Sequence, residues 1–272
     1  MAQTVLITGA RSGFGAALAT AFADAGWNVA ATMRTPEKAP AEFADRDGIF
    51  VTALDVTSPE SISAAVAAAT EHFGGDLDAV VNAAGYVVQG SVEEFTLDDL
   101  RAQFETNVIG TAAVIQGVLP GMRERKHGHI ITFSSAAGVI GIPRMEAYVA
   151  SKFAVEGMSE ALSRSVAHFG IKVTTIEPGV FETELGEGAT ATRHPINAYD
   201  AANAQLPDMY DWTPGNLEEA AKAIVAVAGT EDAPLRLVVG HGLDDVRRFH
   251  RDRLAEWDRT ESLTRPTLAA QG

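Results

Sequence analysis

Tyr148 and Lys152 stand four residues apart at the start of a predicted helix, a spacing that puts both side chains on one face, where they can act on one ligand. A phenol ionises near pH 10 and moves protons poorly at neutral pH, whereas a neighbouring ammonium favours the phenolate and lowers that pKa. The pair is thus a candidate acid-base couple with Lys152 as the electrostatic helper. By itself the spacing is commonplace, because a half-buried tyrosine and a snorkelling lysine produce it too.

A second group of residues bears on phosphate chemistry. Thr8-Gly9-Ala10-Arg11-Ser12-Gly13-Phe14-Gly15 follows an apolar run and opens an Ala-rich stretch. Three glycines there let the backbone turn tightly and bring a pyrophosphate to a helix N-terminus. In dinucleotide folds an acidic residue at the end of the second strand takes the ribose hydroxyls of NAD, and an Arg there accommodates the 2′-phosphate of NADP. Here that strand ends Thr32-Met33-Arg34. Met33 has no carboxylate to offer and Arg34 presents a planar fork, so NADP(H) is expected in preference to NADH, with Arg11 as a second cation. The competing reading makes Arg34 the cap of a solvated loop before Pro36.

These residues need a scaffold. Strand-length apolar runs occur at Thr4–Thr8, Asn28–Met33, Ile49–Leu54, Leu77–Asn82, His129–Phe133, Lys172–Ile176 and Leu235–Val239. Most are apolar at consecutive positions and rich in Val and Ile, as strands buried on both faces are. Stretches of helical spacing lie between them at Gly15–Ala25, Pro59–Phe73, Leu97–Glu124, Tyr148–Phe169 and Leu217–Val227. The alternation predicts an α/β doubly wound Rossmann fold: a seven-stranded, mostly parallel sheet with helices on both faces. One domain over residues 1–258 is expected. Glu184–Pro214 lacks periodicity and follows the sixth strand, where the ligand crevice opens, so it reads as a substrate lid. Gly240–Trp257 reads as an exposed helix and residues 259–272 as a loose tail.

With these motifs in place the sequence resembles the compact single-domain branch of the short-chain dehydrogenase/reductase superfamily, over about residues 4–183. Within it the similarity is to hydroxysteroid and retinol dehydrogenase-like carbonyl reductases. The resemblance rests on Thr8-Gly-x-x-x-Gly-x-Gly15, Asn82-Ala83-Ala84-Gly85, Ser135, and Tyr148-x-x-x-Lys152. It implies catalysis by Asn107, Ser135, Tyr148 and Lys152. Ser135 would orient the substrate, and Asn107 would kink its helix and hold a water against Lys152. For the cofactor it implies Gly9, Arg11, Ser12, Gly13, Phe14 and Gly15 in the turn, Asp55 at the adenine amino group with Val56 beside it, and Asn82, Ala83 and Gly85 after the fourth strand. It also implies Pro178, Gly179, Val180 and Thr183 around the nicotinamide carboxamide, and Lys152 on the nicotinamide ribose. The implied activity is reduction of a ketone or aldehyde of a hydrophobic small molecule, or oxidation of the secondary alcohol, by a homodimer or homotetramer. One departure is Ala83, where many relatives carry a second asparagine, so the side-chain amide that braces the sheet there is missing. A non-enzymatic NADP-binding sensor or scaffold on the same fold is the alternative, disfavoured because Ser135, Tyr148 and Lys152 are all present.

Composition narrows the rest. The 272 residues carry a formal net charge of -15, against the basic footprint that nucleic acid requires. The absence of cysteine removes disulfides, thiolate nucleophiles and zinc-thiolate sites. Seven histidines include no His-x-x-x-His pair, and no metal is expected. No apolar run reaches the roughly 20 residues of a membrane span, and Met1-Ala2-Gln3 runs into Val5-Leu6-Ile7 with no basic lead, so a cytoplasmic protein is expected. Val87, Val88, Val139, Ile142 and Met145 are expected to make an apolar substrate pocket.

Overall fold

The computed structural model describes residues 2–183, 194–204 and 213–267. The elements run β1 (Thr4–Thr8), α1 (Gly13–Asp24), β2 (Asn28–Met33), β3 (Ile49–Ala53), α2 (Pro59–Phe73), β4 (Ala79–Asn82), α3 (Leu97–Phe104), α4 (Thr111–Arg125), β5 (Gly128–Phe133), α5 (Glu146–Val166), β6 (Ile171–Pro178), α6 (Asn197–Asn203), α7 (Leu217–Ala228), β7 (Arg236–Val239) and α8 (Leu243–Thr264). All seven strands are parallel, in the order β3-β2-β1-β4-β5-β6-β7. The sequence order reverses between β1 and β4, and ligands bind outside the carboxyl ends of strands at such a switch.

Alternation along each strand builds two cores. Val5 and Ile7 of β1, Ala79 and Val81 of β4, and Ile131 of β5 face the layer containing α1 and α7. Leu6, Val80 and Ile130 face the opposite layer, with Ile62 and Ala65 of α2 and Val114, Val118 and Met122 of α4. Successive Cβ atoms of a strand point to opposite faces, so a run apolar at every position fills both cores. Each buried Val, Leu or Ile contributes about 1.5–3 kcal/mol relative to exposure. Helix starts are marked locally. Ser58 accepts from the Ser61 amide before Pro59 at α2, Thr96 and Asp99 form a capping box at α3, and Asn216 accepts from the Glu219 amide at α7.

Two expectations are corrected. Leu97–Glu124 is not one regular helix: Glu105–Gly110 forms a π-helical segment between α3 and α4. β-Branched Thr106, Val108 and Ile109 lie within it, and the Thr111 hydroxyl donates to the Asn107 carbonyl at 2.9 Å, a back-bond of the kind that competes with the regular ladder. Residues 259–264 are not loose tail, because α8 continues to Thr264. Of the expected lid, residues 194–204 are described and contain α6, while 184–193 and 205–212 lie outside the described residues, as do 268–272.

Candidate active site

An open cleft of about 760 Å³ lies along the carboxyl ends of β1, β2 and β4, within the range of small-molecule and cofactor sites. Its floor is the glycine-rich turn. Gly9 has φ +70° and a Cβ there would stand 2.9 Å from the Ala84 Cα, while a Cβ on Gly15 would meet the Gly9 carbonyl oxygen at 2.2 Å. Only glycine allows the turn to fold this tightly over the start of α1. Arg11, Ser12, Arg34, Asp55, Val56 and Gly85, all named above for the cofactor, line the cleft together with Gly9, and Met33 lines it also. The Asp55 carboxyl accepts from the Thr57 amide at 2.9 Å and the Thr57 hydroxyl at 2.8 Å. These bonds hold its pKa below the usual range, with a smaller contribution from Arg34.

Other expected cofactor residues support the cleft without lining it. The Phe14 ring packs between Phe133 and Phe181, at centroid distances of 5.0 and 4.8 Å. Gly13 abuts the Thr183 side chain. Pro178 ends β6, and the Gly179 amide and Val180 carbonyl are tied to Val239 and Gly215. The missing second asparagine has a local substitute: the Thr8 hydroxyl accepts from the amides of both Ala83 and Ala84 at 3.1 Å and so clips the end of β4 to β1. The Asn82 amide is buried and neither its nitrogen nor its oxygen has a partner, a polar group that a ligand could satisfy.

At the adjoining end of β5 the chemistry-bearing residues converge. Ser134 and Ser135 separate clearly: the Ser134 oxygen is directed at Gly138, inside the fold, and Ser135 reaches the Tyr148 phenol. Tyr148 is 5% exposed and packs on Val87 and Ala137. Burial pushes its pKa up to about 12, opposed by the Ser135 hydrogen bond. The Lys152 nitrogen lies 5.7 Å from the Tyr148 ring centroid and donates to the Phe133 carbonyl at 2.7 Å. Burial drives its own pKa down to about 8, with the Glu156 carboxylate acting in the opposite direction. The expected lowering of the phenol pKa by Lys152 is therefore not seen, because desolvation dominates both groups. The tyrosine stands as a protonated donor at neutral pH.

Asn107 sits in the π segment, which aims it at the backbone of the loop after β4. Its amide nitrogen donates to the Tyr86 carbonyl at 3.1 Å and to the Ser151 hydroxyl at 3.3 Å, and its oxygen accepts from the Tyr86 amide at 3.2 Å. It thus meets the chain neighbour of Lys152. Sequence reasoning missed Gln103, which is fully buried and grips the same loop through the Tyr86 carbonyl and the Val88 amide, both at 2.7 Å. The available signal was a polar stripe at four-residue spacing, Asp99, Gln103 and Asn107, which forms the buried face of this stretch. Thr35 and Lys38, beside Arg34 at the cleft, were missed as well. Lys38 sits in a short turn with no strand or helix pattern to flag it. Of the residues expected at an apolar pocket, Val87, Ile142 and Met145 pack around Tyr148, Val88 is buried, and Val139 joins Ile140, Val246 and Phe249 under α8. His129, buried in β5, bonds the Thr174 hydroxyl at 2.9 Å, and no cluster of metal-ligating side chains occurs among the described residues.

This cleft and cluster are those of a dinucleotide-dependent dehydrogenase, and comparison with known proteins agrees. The short chain dehydrogenase family model matches residues 3–194, and the chain belongs to that family. The oxidoreductase BOA17 of Botryotinia fuckeliana is 36% identical over 246 residues, covering 88% of this chain and 89% of its own. A short-chain dehydrogenase of Streptomyces avermitilis superposes with a TM-score of 0.88 at 37% identity, over 99% of both chains. The structure of ElxO with NADP bound superposes with a TM-score of 0.76 at 27% identity, over 89% of this chain and 98% of that one.

Proposed function

We propose that this oxidoreductase uses NADP(H) to reduce the carbonyl group of apolar small molecules, and to oxidise the corresponding alcohols in reverse. The observation that carries the reading is the convergence of Ser135, Tyr148 and Lys152 at the end of β5, next to a cleft whose other wall carries Arg34 and Lys38. The nicotinamide cofactor, when bound, supplies or accepts the hydride at the carbonyl carbon. Gly9 and Gly15 give its pyrophosphate room, and Ser12 and the start of α1 supply backbone donors. Arg34 and Lys38, with Arg11, favour a 2′-phosphate. Pro178, Gly179, Val180 and Thr183 close the nicotinamide end.

In the reductive direction the Tyr148 hydroxyl gives its proton to the developing alkoxide, and Ser135 donates a hydrogen bond to the same oxygen. Lys152 holds the ribose and, as an ammonium, stabilises the phenolate left behind. Asn107 fixes the Tyr86 loop and Ser151, and a water held between it and Lys152 would carry the replacement proton in from solvent. Val87, Ile142 and Met145 favour a hydrophobic ketone or aldehyde. The ElxO neighbour with NADP bound supports the cofactor assignment. A panel of apolar and polar ketones, assayed with NADPH and with NADH by loss of nicotinamide absorbance, tests the proposal. Turnover of apolar ketones with NADPH supports it; a preference for NADH, or no turnover, refutes it.

A further inference from the structure

The mechanism makes no use of Glu94, a carboxylate with 0% exposure. Its oxygens accept from the Ser91 amide at 2.8 Å and the Ile196 amide at 3.0 Å, and lie 3.5 Å from an Arg144 guanidinium nitrogen. Its main-chain carbonyl accepts from the His194 amide at 3.3 Å. The other arm of Arg144 pairs with Asp200 at 2.6 Å, and the Tyr199 hydroxyl donates to Glu93 at 2.7 Å. Residues 90–94, 144–145 and 194–200 therefore meet around one buried charge. Burying a carboxylate is unfavourable unless donors surround it, and here most of the donors come from distant parts of the chain. The same bonds, that of Ile196 first, keep the Glu94 pKa low.

What this clasp holds is the substrate side of the site. Arg144 has φ +63°, and its carbonyl accepts from the Gly90 amide at 2.8 Å, next to a Gly90–Met145 bridge. Met145 packs on Val87 and Tyr148, and Tyr148 stands four residues after Arg144 in the first turn of α5. An arginine in the left-handed region persists only where its surroundings over-determine it, and the two carboxylates on its guanidinium and the amide on its carbonyl do so.

We propose that Glu94 and Arg144 are positioning residues that fasten the strap 194–200 to the loop leading into Tyr148, and so set the wall against which an apolar carbonyl substrate is held. The inference rests on the carbonyl-reductase reading of the site. It predicts control of substrate affinity with little effect on the cofactor or on the chemical step.

Two variants test it. Glu94→Gln keeps the shape but removes the charge. Tyr199→Phe with Asp200→Asn loosens the strap from its solvent side and leaves the buried residues intact, so it remains informative if Glu94→Gln fails to fold. Hydrogen exchange of the 194–200 amides, NADPH binding by fluorescence, and KM and kcat for a turned-over ketone are measured on each. Faster exchange is expected in both. KM should rise by about tenfold or more for Glu94→Gln and about three- to fivefold for the solvent-side variant, with kcat and NADPH binding within about twofold. The proposal is overturned if exchange is unchanged, if exchange quickens with KM constant, or if NADPH binding weakens in step with KM. Failure of the wild type to turn over any ketone would instead refute the carbonyl reading, while the exchange experiment would still report on the clasp.

Discussion

Cofactor choice can be tested through Arg34 and Lys38, which line the same part of the cleft and are both exposed. At about 4 Å a unit charge pair is worth roughly 1 kcal/mol in water and roughly 4 kcal/mol at an effective dielectric constant near 20. Exposure puts both cations toward the lower figure, and a lost charge-assisted contact of about 1.5 kcal/mol corresponds to about tenfold in affinity. Arg34→Ala should therefore weaken NADPH binding about tenfold, and adding Lys38→Ala should weaken it several-fold further. NADH affinity should stay within about twofold because NADH has no 2′-phosphate. Raising ionic strength should narrow the gap between wild type and variants, since screening acts on exposed charges. Titration of both cofactors by fluorescence, at low and high salt, is the assay. Parallel losses for NADH and NADPH would show that these cations serve the shared part of the nucleotide, and unchanged NADPH affinity would make Arg34 a loop residue only. Met33→Asp would be a poorer route to an NADH preference: Met33 is 3% exposed and belongs to the core, so a carboxylate there would be buried.

Other predictions follow from the buried titrating groups and the helices. With Lys152 driven down to about 8, the reductive rate should fall as pH rises through about 8, as the ammonium is lost, and Lys152→Met should abolish that limb while weakening cofactor binding. His129 is held neutral, its pKa lowered to about 4 chiefly by burial with Lys172 adding to the effect. The unfolded chain binds a proton below about 6.5, so this stability is complete above that pH and lost as pH falls toward 4, by roughly 3 kcal/mol. Chemical denaturation of His129→Gln should show a flatter acid limb between those values, and an identical limb would refute the assignment. Light scattering should find a homodimer or homotetramer built through α4 and α5; a monomer at all concentrations would contradict this.

Much of the fold was legible because its strands are buried on both faces. Runs such as Thr4-Val5-Leu6-Ile7-Thr8 fill two cores at once, and the observed strands begin and end within two residues of the expected positions. Helical spacing put Tyr148 and Lys152 on one face, but only the glycine-rich turn, the Asn82 motif and Ser135 singled that pair out, because the spacing alone is commonplace. What escaped has no local period. The resemblance implied a kink at Asn107, but that the kink is a π segment depends on packing against the Tyr86 loop. Gln103 and Glu94 earn their roles from partners 15 to 102 residues away in sequence. The end of α8 was missed because Val246 alone among its residues is buried. Ion pairs along its own surface, Asp245–Arg248, Glu256–Arg259 and Glu261–Arg265, support a helix that no hydrophobic stripe announces. The Tyr148 pKa was misjudged because spacing shows a neighbouring charge and says nothing of burial.

The most direct test of the central claim is Tyr148→Phe, measured in parallel for NADPH binding and for ketone reduction. The side chain is buried and keeps its packing on Val87 and Ala137 without the hydroxyl. The account predicts NADPH affinity within about twofold of wild type and loss of turnover by about 100-fold or more. Turnover close to wild type would contradict it, because the proton would then come from a group other than Tyr148.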